Sequence, residues 1–350
     1  MTMKLNNNIL KLLRSTVAAV ALAAPAAVLA EDADKDVIEW TLQAHLPTGS
    51  GSWQDSVVAV KEKLYERTDG RLDIKLHAAG SLFGATEIFP AVKRGVIEIG
   101  YTSPAYLMSY IPTAGLAFSV PGAFQNVWEA QYFWTHLGFE SLIREEAAEH
   151  GIQYFTDKLY PTEMVLKERV ESMDDFDSLK IRSAGLLQSF VSEVGAAATY
   201  VPGPEIYQAL STGVVDGAHW GAAQEANALS LYEVAKYHVR PALGIGGVEA
   251  FIINQKALNA LPEDIRNIVV ETLNEHFLDR TNEYLYQETL MLKKLEASQG
   301  VEVIELPQEV QDRMWSVGEK IRKEEAKKSD NAAEAVKRLD EFLRSLGRID

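Results

Sequence analysis

Glu87-Ile88-Phe89-Pro90-Ala91-Val92-Lys93-Arg94-Gly95-Val96-Ile97-Glu98 recurs 118 residues later as Glu205-Ile206-Tyr207-Gln208-Ala209-Leu210-Ser211-Thr212-Gly213-Val214-Val215-Asp216. The two stretches align without gaps, five of the twelve positions being identical and four more closely similar. Each reads as a short helix ended by a glycine, which adopts the left-handed conformation without a steric penalty, followed by a short strand. A chance likeness of two helix-glycine-strand units is the alternative. The recurrence predicts two α/β lobes of similar build.

Outward from the first copy, Glu39–Ala44 has strand character and the Pro47–Ser52 loop leads into a helix predicted over Trp53–Arg67, with Val57, Val60 and Leu64 on its apolar face. The Thr68-Asp69-Gly70 turn and the alternating Leu72–Leu76 complete a β-α-β unit, the building block of a largely parallel sheet. Leu261-Pro262-Glu263-Asp264 opens a helix, and Ile265, Ile268, Val269, Leu273 and Phe277 follow at helical spacing. No glycine or proline intervenes before Gly300. One helix of about 35 residues would extend roughly 50 Å and could brace two lobes; a break in the weaker pattern after Phe277 is the alternative. Val301–Ile304 then alternates as a strand, and Pro307 begins a charged helical C-terminus.

The 350 residues are 47 % hydrophobic and 24 % charged, a globular composition, with 50 acidic against 34 basic residues and a net charge of −16. The absence of cysteine excludes disulfides, thiolate metal sites, thiol catalysis and a lipidated N-terminal cysteine. The acidic balance, without a basic stripe, argues against a nucleic-acid partner. Residues 1–30 combine Lys4, Lys11 and Arg14 with the apolar Ser15–Ala27 and small residues at Val28 and Ala30, the pattern of a signal peptide cleaved before Glu31. Its apolar run falls short of the roughly 20 residues of a spanning helix. Cleavage removes three cations and moves the formal charge from −16 to −19.

Catalytic constellations are missing: there is no Gly-x-Ser-x-Gly elbow, Walker loop, dinucleotide glycine motif or His-Glu-x-x-His, and no two of the seven histidines fall at i, i+4. The acid pairs Glu145-Glu146 and Asp174-Asp175 read as solvated. Leu179 and Ile181 face a core in a short strand, so Arg182 emerges near its end, where a guanidinium can grip a carboxylate through two parallel hydrogen bonds. Pairing with a neighbouring glutamate is the alternative. Trp220, among small residues after a strand, either walls a pocket or fills a core. Tyr160-Pro161-Thr162-Glu163 has the same mixed character.

In order, Glu66–Leu72, Ala79–Gly84, Val92–Glu98, Asp177–Arg182 and Ala209–Gly217 resemble the DctP-type solute-binding proteins of tripartite ATP-independent periplasmic (TRAP) transporters, over about residues 38 to 320. The resemblance implies a two-lobe, periplasmic-binding-protein-like α/β fold with a hinge and a long helix crossing both lobes. Lobe I is expected to comprise 31–155 with about 246–285, and lobe II 156–245 with about 286–350. The implied protein is not an enzyme. It captures a small mono- or dicarboxylate in the periplasm and delivers it to the TRAP membrane permease, as a monomer or homodimer.

By the same resemblance, Arg182 is the carboxylate anchor and Trp220 an aromatic wall. The keto-acid-binding branch often has a metal-binding carboxylate immediately before that Trp. His219 stands there instead, which argues against a bound Na⁺ or Ca²⁺, so no cofactor is expected and His219 would donate a hydrogen bond to the ligand. His45, Tyr101, Tyr106, Tyr160, Glu163 and Glu249 are supporting positions by loop placement. An amine or neutral ligand, with Glu163 or Glu249 as counter-charge, is the alternative within the same fold. A secreted enzyme is the alternative outside it.

Overall fold

The computed structural model describes residues 37–349; the expected signal peptide lies outside them. Among the described residues no helix is long and apolar enough to cross a membrane. The first unit contains β1 (Ile38–Ala44), β2 (Leu72–His77) and β3 (Ile99–Thr102), with β1 parallel to both neighbours. After β4 (Phe118–Val120) and the long β5 (Ile152–Leu166), a second unit contains β6 (Lys180–Arg182), β7 (Ala197–Thr199) and β8 (Gly217–His219), with β6 parallel to both neighbours. β9 (Tyr237–Asn254) and β10 (Glu302–Glu305) complete a mixed sheet of order β2-β1-β3-β9-β5-β8-β6-β7, with β4 and β10 added alongside β9.

The repeat read from sequence is a structural repeat. Short 3₁₀ turns at Ala85–Glu87 and Gly203–Glu205 precede helices beginning at Ile88 and Ile206, and the following strands begin at Ile99 and Gly217. Gly95 and Gly213 occupy the left-handed region at φ 70° and 76°, so each helix is ended by the residue that turns its chain at no steric cost. The strand orders β2-β1-β3 and β7-β6-β8 are the same arrangement written twice.

Two strands join the units. β5 and β9 pair antiparallel from Ile152 opposite Asn254 to Leu166 opposite Tyr237. β3 adds to the Ala250–Ile253 end of β9, and β8 adds to the Met164–Leu166 end of β5. Between those ends the β5–β9 register shifts three times, at Thr156/Lys158, Tyr160/Pro161 and Thr162/Met164. Bulges bend a strand and sharpen its twist, so the ribbon that carries both three-stranded units is not a regular ladder.

The helix Glu263–Gln299 is unbroken over 37 residues, about 55 Å. Ile265, Val269 and Leu273 pack in the core beneath β1 and β2 with Trp40, Leu42 and Leu64. From His276 onward the face against the sheet is largely polar, with His276, Arg280, Thr281 and Glu288 buried alongside Tyr284 and Leu295, so the apolar periodicity fades where the helix does not. Each of the polar groups is matched. The Thr281 hydroxyl accepts from Leu159 N at 3.0 Å, and the Glu288 carboxylate accepts from Ala223 N and Gln224 N at 2.8 Å each, capping the helix Ala223–Ala228.

Asp157 on β5 is the hub of this polar seam. Its carboxylate accepts from Ser56 Oγ at 3.0 Å, Tyr101 Oη at 2.7 Å and Lys158 Nζ at 3.0 Å, and pairs with His276 Nε2 at 2.7 Å. Burial by itself raises a carboxyl pKa. Lys158 beside it, with the His276 hydrogen bond and the Arg280 charge, more than reverses this and holds Asp157 far below the usual range.

The helix Asp330–Ser345 returns to pack Ala335, Val336, Leu339 and Phe342 against Phe133, Trp134 and Leu142 of the first half of the chain. Glu146, expected to be solvated, is buried there and accepts from both Thr113 N and Thr113 Oγ1 at 2.8 Å. Its helix is amphipathic, and a register of one residue decides that Glu145 stays exposed while Glu146 turns inward.

Asp157→Ala leaves a buried lysine short of one of its two counter-charges and is expected to cost about 3–5 kcal/mol in urea unfolding at neutral pH. The stability from Asp157 is fully present above the ordinary aspartate pKa of 3.8 and is lost as pH falls further, so the difference between the two proteins should narrow below pH 4. A neutral-pH loss under about 1 kcal/mol would remove Asp157 from the role of hub.

Candidate functional site

The carboxyl ends of the paired parallel strands in both units meet at the centre of the molecule, the place where open α/β sheets present ligand crevices. His45 follows β1, Ser103 follows β3, Arg182 ends β6, His219 ends β8 and Trp220 follows it. With Tyr106, Phe118, Tyr160, Thr162, Ala184, Gly221, Glu225 and Glu249 they line one small cavity.

Arg182 is buried to 1 % exposure. Its Nε donates to Val201 O and its Nη1 to His219 O, each at 2.9 Å, fixing the plane of the guanidinium. Nη2 has no hydrogen-bond partner, although the Tyr106 hydroxyl lies close to the group. Among the described residues no carboxylate sits within ion-pairing distance of it. Burial lowers its pKa, and only the phenols of Tyr106 and Tyr200 oppose that.

The Trp220 ring lies 5.2 Å from the guanidinium carbon and is 9 % exposed, so it is both a core residue and a wall. It fits because position 203 is glycine: a Cβ there would stand 2.4 Å from the indole edge. His219 shares its Nε2 with Ser183 Oγ at 2.8 Å, and burial together with the Arg182 charge holds its pKa well below the ordinary value. His45 stacks on Tyr101 at 6.0 Å and meets Tyr106 and Trp220 edge-on, and neither of its ring nitrogens has a partner. Burial, then the charges of Lys158 and Arg182, lower its pKa to about 3, so it faces the cavity as a neutral imidazole.

The acidic side of the cavity is formed by Glu225 and Glu249. Glu225 accepts from Ser50 Oγ at 2.6 Å, Ser52 N at 3.0 Å and Ser52 Oγ at 2.5 Å, tying the helix after β8 to the loop after β1. Glu249 pairs with the fully buried Lys158, and the Tyr160 hydroxyl lies 3.4 Å from its other oxygen.

Seven of the nine residues singled out in the sequence therefore share the cavity: His45, Tyr106, Tyr160, Arg182, His219, Trp220 and Glu249. Tyr101 lies one layer deeper, its hydroxyl turned to Asp157. Glu163 is not at the cavity; its oxygens face His238 at 2.9 Å and Arg240 at 2.5 Å. Strand alternation explains the difference, since Tyr160 and Thr162 point to one face and Glu163 to the other. That period is a signal that could have replaced Glu163 by Thr162. Ser103, Phe118 and Glu225 carry no local signal, because each reaches the cavity through contacts distant in sequence.

The sequence profile of bacterial extracellular solute-binding protein family 7, DctP, matches residues 44–329. A monocarboxylate 2-oxoacid-binding periplasmic protein from a Nostoc species is 27 % identical over 295 residues, covering 83 % of this chain and 80 % of that protein. The ectoine-binding periplasmic protein of Halomonas elongata is 28 % identical over 247 residues, covering 67 % and 69 %. Among solved structures, a TRAP periplasmic solute-binding protein from Pseudoalteromonas atlantica with bound sodium and pyruvate superposes with a TM-score of 0.81 at 21 % identity, covering 89 % of this chain and 95 % of that one. The likeness establishes the two-lobe fold, and the profile spans both structural repeats. The chain is thus a member of the DctP family of bacterial extracellular solute-binding proteins.

Proposed function

We propose that this protein captures a small organic acid between its lobes in the periplasm, with Arg182 as the anchor of the ligand's carboxylate, and delivers it to a TRAP permease. The observation that carries the reading is the buried Arg182 guanidinium, held in plane by two carbonyls, without a protein carboxylate and with Nη2 unpartnered. An unpaired buried charge is costly, and a ligand carboxylate supplies the missing counter-charge. Trp220 and Phe118 enclose the apolar part of the ligand, and neutral His45 and His219 offer hydrogen bonds without adding charge.

The amine reading is less well supported, because the carboxylate oxygens that would accept from an ammonium already accept from protein groups. Glu249 has Lys158, Glu225 has two serines, and Glu163 lies outside the cavity. A cation would also enter beside Arg182.

A resident metal ion is less well supported by the donors at the cavity. Among the described residues no three His, Cys, Asp or Glu side chains are grouped to hold one. The His219 carbonyl is engaged by Arg182, and the carboxylate oxygens of Glu225 by the serine loop. Calcium requires six to eight oxygens. We therefore derive ligand capture from the side chains alone.

Lobe closure follows from where the contacts lie. Arg182, His219 and Trp220 belong to the second unit, His45, Ser103 and Tyr106 to the first, and Tyr160 and Glu249 to the joining strands. A ligand touching all three favours the closed form because only that form makes every contact. On this reading the lobes divide at the register shifts of β5 and β9, and the helix Asp330–Ser345 moves with lobe I rather than with lobe II, against the division expected from sequence.

Arg182→Lys keeps a cation but loses the planar fork, and calorimetry with the acid that co-purifies is expected to show at least about a 100-fold weaker Kd; undiminished binding overturns the anchor. Because His45 titrates near pH 3, and His219 also stays neutral, wild-type affinity is expected to change less than about threefold between pH 5.5 and 8. A tenfold gain on acidification through pH 6.5 would mean that a histidine, not Arg182 alone, carries the positive charge.

A further inference from the structure

We infer that the cavity selects monocarboxylates and rejects dicarboxylates, with Glu249 and Glu225 as the excluding groups. The inference rests on the reading of Arg182 as the carboxylate anchor and goes beyond it to the charge of the rest of the ligand.

Every charge at the cavity has been placed. Arg182 is the one lining cation among the described residues, whereas two carboxylates, Glu225 and Glu249, line the same space. Lys158 is close behind but is not available to a ligand. It has no exposed surface, it is paired with Asp157 at 3.0 Å and with Glu249, and its ammonium is covered by the Tyr160 and Tyr284 rings at 5.3 Å each. Arg280 lies on the long helix, outside the lining, with Asp55 at 3.4 Å and Glu283 at 3.5 Å. The two lining histidines contribute polarity and no charge.

A ligand with one carboxylate therefore supplies the counter-charge that Arg182 lacks. A second carboxylate would find no second cation. It would be desolvated in a cavity whose remaining ionic groups are Glu225 and Glu249, a like-charge contact of the kind that enforces specificity by repulsion. Geometry reinforces the point. Trp220 borders both Arg182, at 5.2 Å, and His45, at 6.1 Å, so the space beside Arg182 continues past His45 within the cavity that Glu225 and Glu249 also line.

The test uses three acids that share a 2-hydroxycarboxylate end: lactate, malate and the neutral 4-amide of malate, which matches malate in size. Isothermal titration of the wild type is expected to give lactate and the amide measurable affinity, and malate at least about 100-fold weaker than its amide. Glu249→Gln and, separately, Glu225→Gln are expected to narrow the amide-to-malate ratio by tenfold or more, with thermal melts confirming that each variant is folded. If Glu249→Gln does not fold, because Lys158 has lost a partner, Glu225→Gln and the wild-type ratio decide. Malate binding as tightly as its amide to the wild type overturns the inference while leaving the anchor intact. A wild-type preference that neither folded variant reduces also overturns the assignment to these glutamates. Failure of all three acids to bind, or binding of lactate that Arg182→Lys does not weaken, overturns the anchor itself and the inference with it.

Discussion

The antiparallel pairing of β5 with β9 is the constraint from which the rest of the structure follows. Two copies of the same three-stranded unit hang from opposite ends of this ribbon, so the ribbon is at once the centre of the sheet and the hinge between lobes. Its three register shifts fall between those ends. The shifts bend the ribbon and bring the carboxyl ends of both units to a common point, and the cavity is the consequence.

Buried charge is used differently on the two sides of that point. Along the ribbon, Asp157, Lys158 and Glu249 satisfy one another and tie the sheet to the long helix through His276. Such a network holds a conformation because removing any one member strands another. Arg182 is left outside this economy, hydrogen-bonded only to carbonyls among its fixed partners. The folded protein thus carries one uncompensated cation in a place a small anion can reach. The chain's overall charge is −16, yet a field screened within about 8–10 Å has little influence on an enclosed site. Local arrangement outweighs net charge.

Much of this architecture was legible in the residues, for physical reasons that can be named. The paired helix-glycine-strand segments were visible because left-handed glycines and apolar spacing are local requirements, and both copies keep them at the same offset. Arg182 and Trp220 were visible because a charged or aromatic residue just after a short strand has few places to go. The continuity of the long helix beyond Phe277 was not, since its inward face there carries Arg280, Thr281 and Glu288, and polar groups that are buried by pairing look solvated in sequence. Glu146 misled in the same way.

The sequence by itself determined the local elements, their repetition and hence the two-lobe class, because each depends on residues within a turn or two of one another. Only the tertiary structure decided which side chains share a cavity and which are already paired. Glu163 is turned away by strand alternation and engaged by His238 and Arg240, Lys158 is engaged by two acids, and Glu225 arrives from the far unit to meet Ser50 and Ser52. Whether a buried charge is free or satisfied depends on partners tens to hundreds of residues away, and that distance is closed only by the fold.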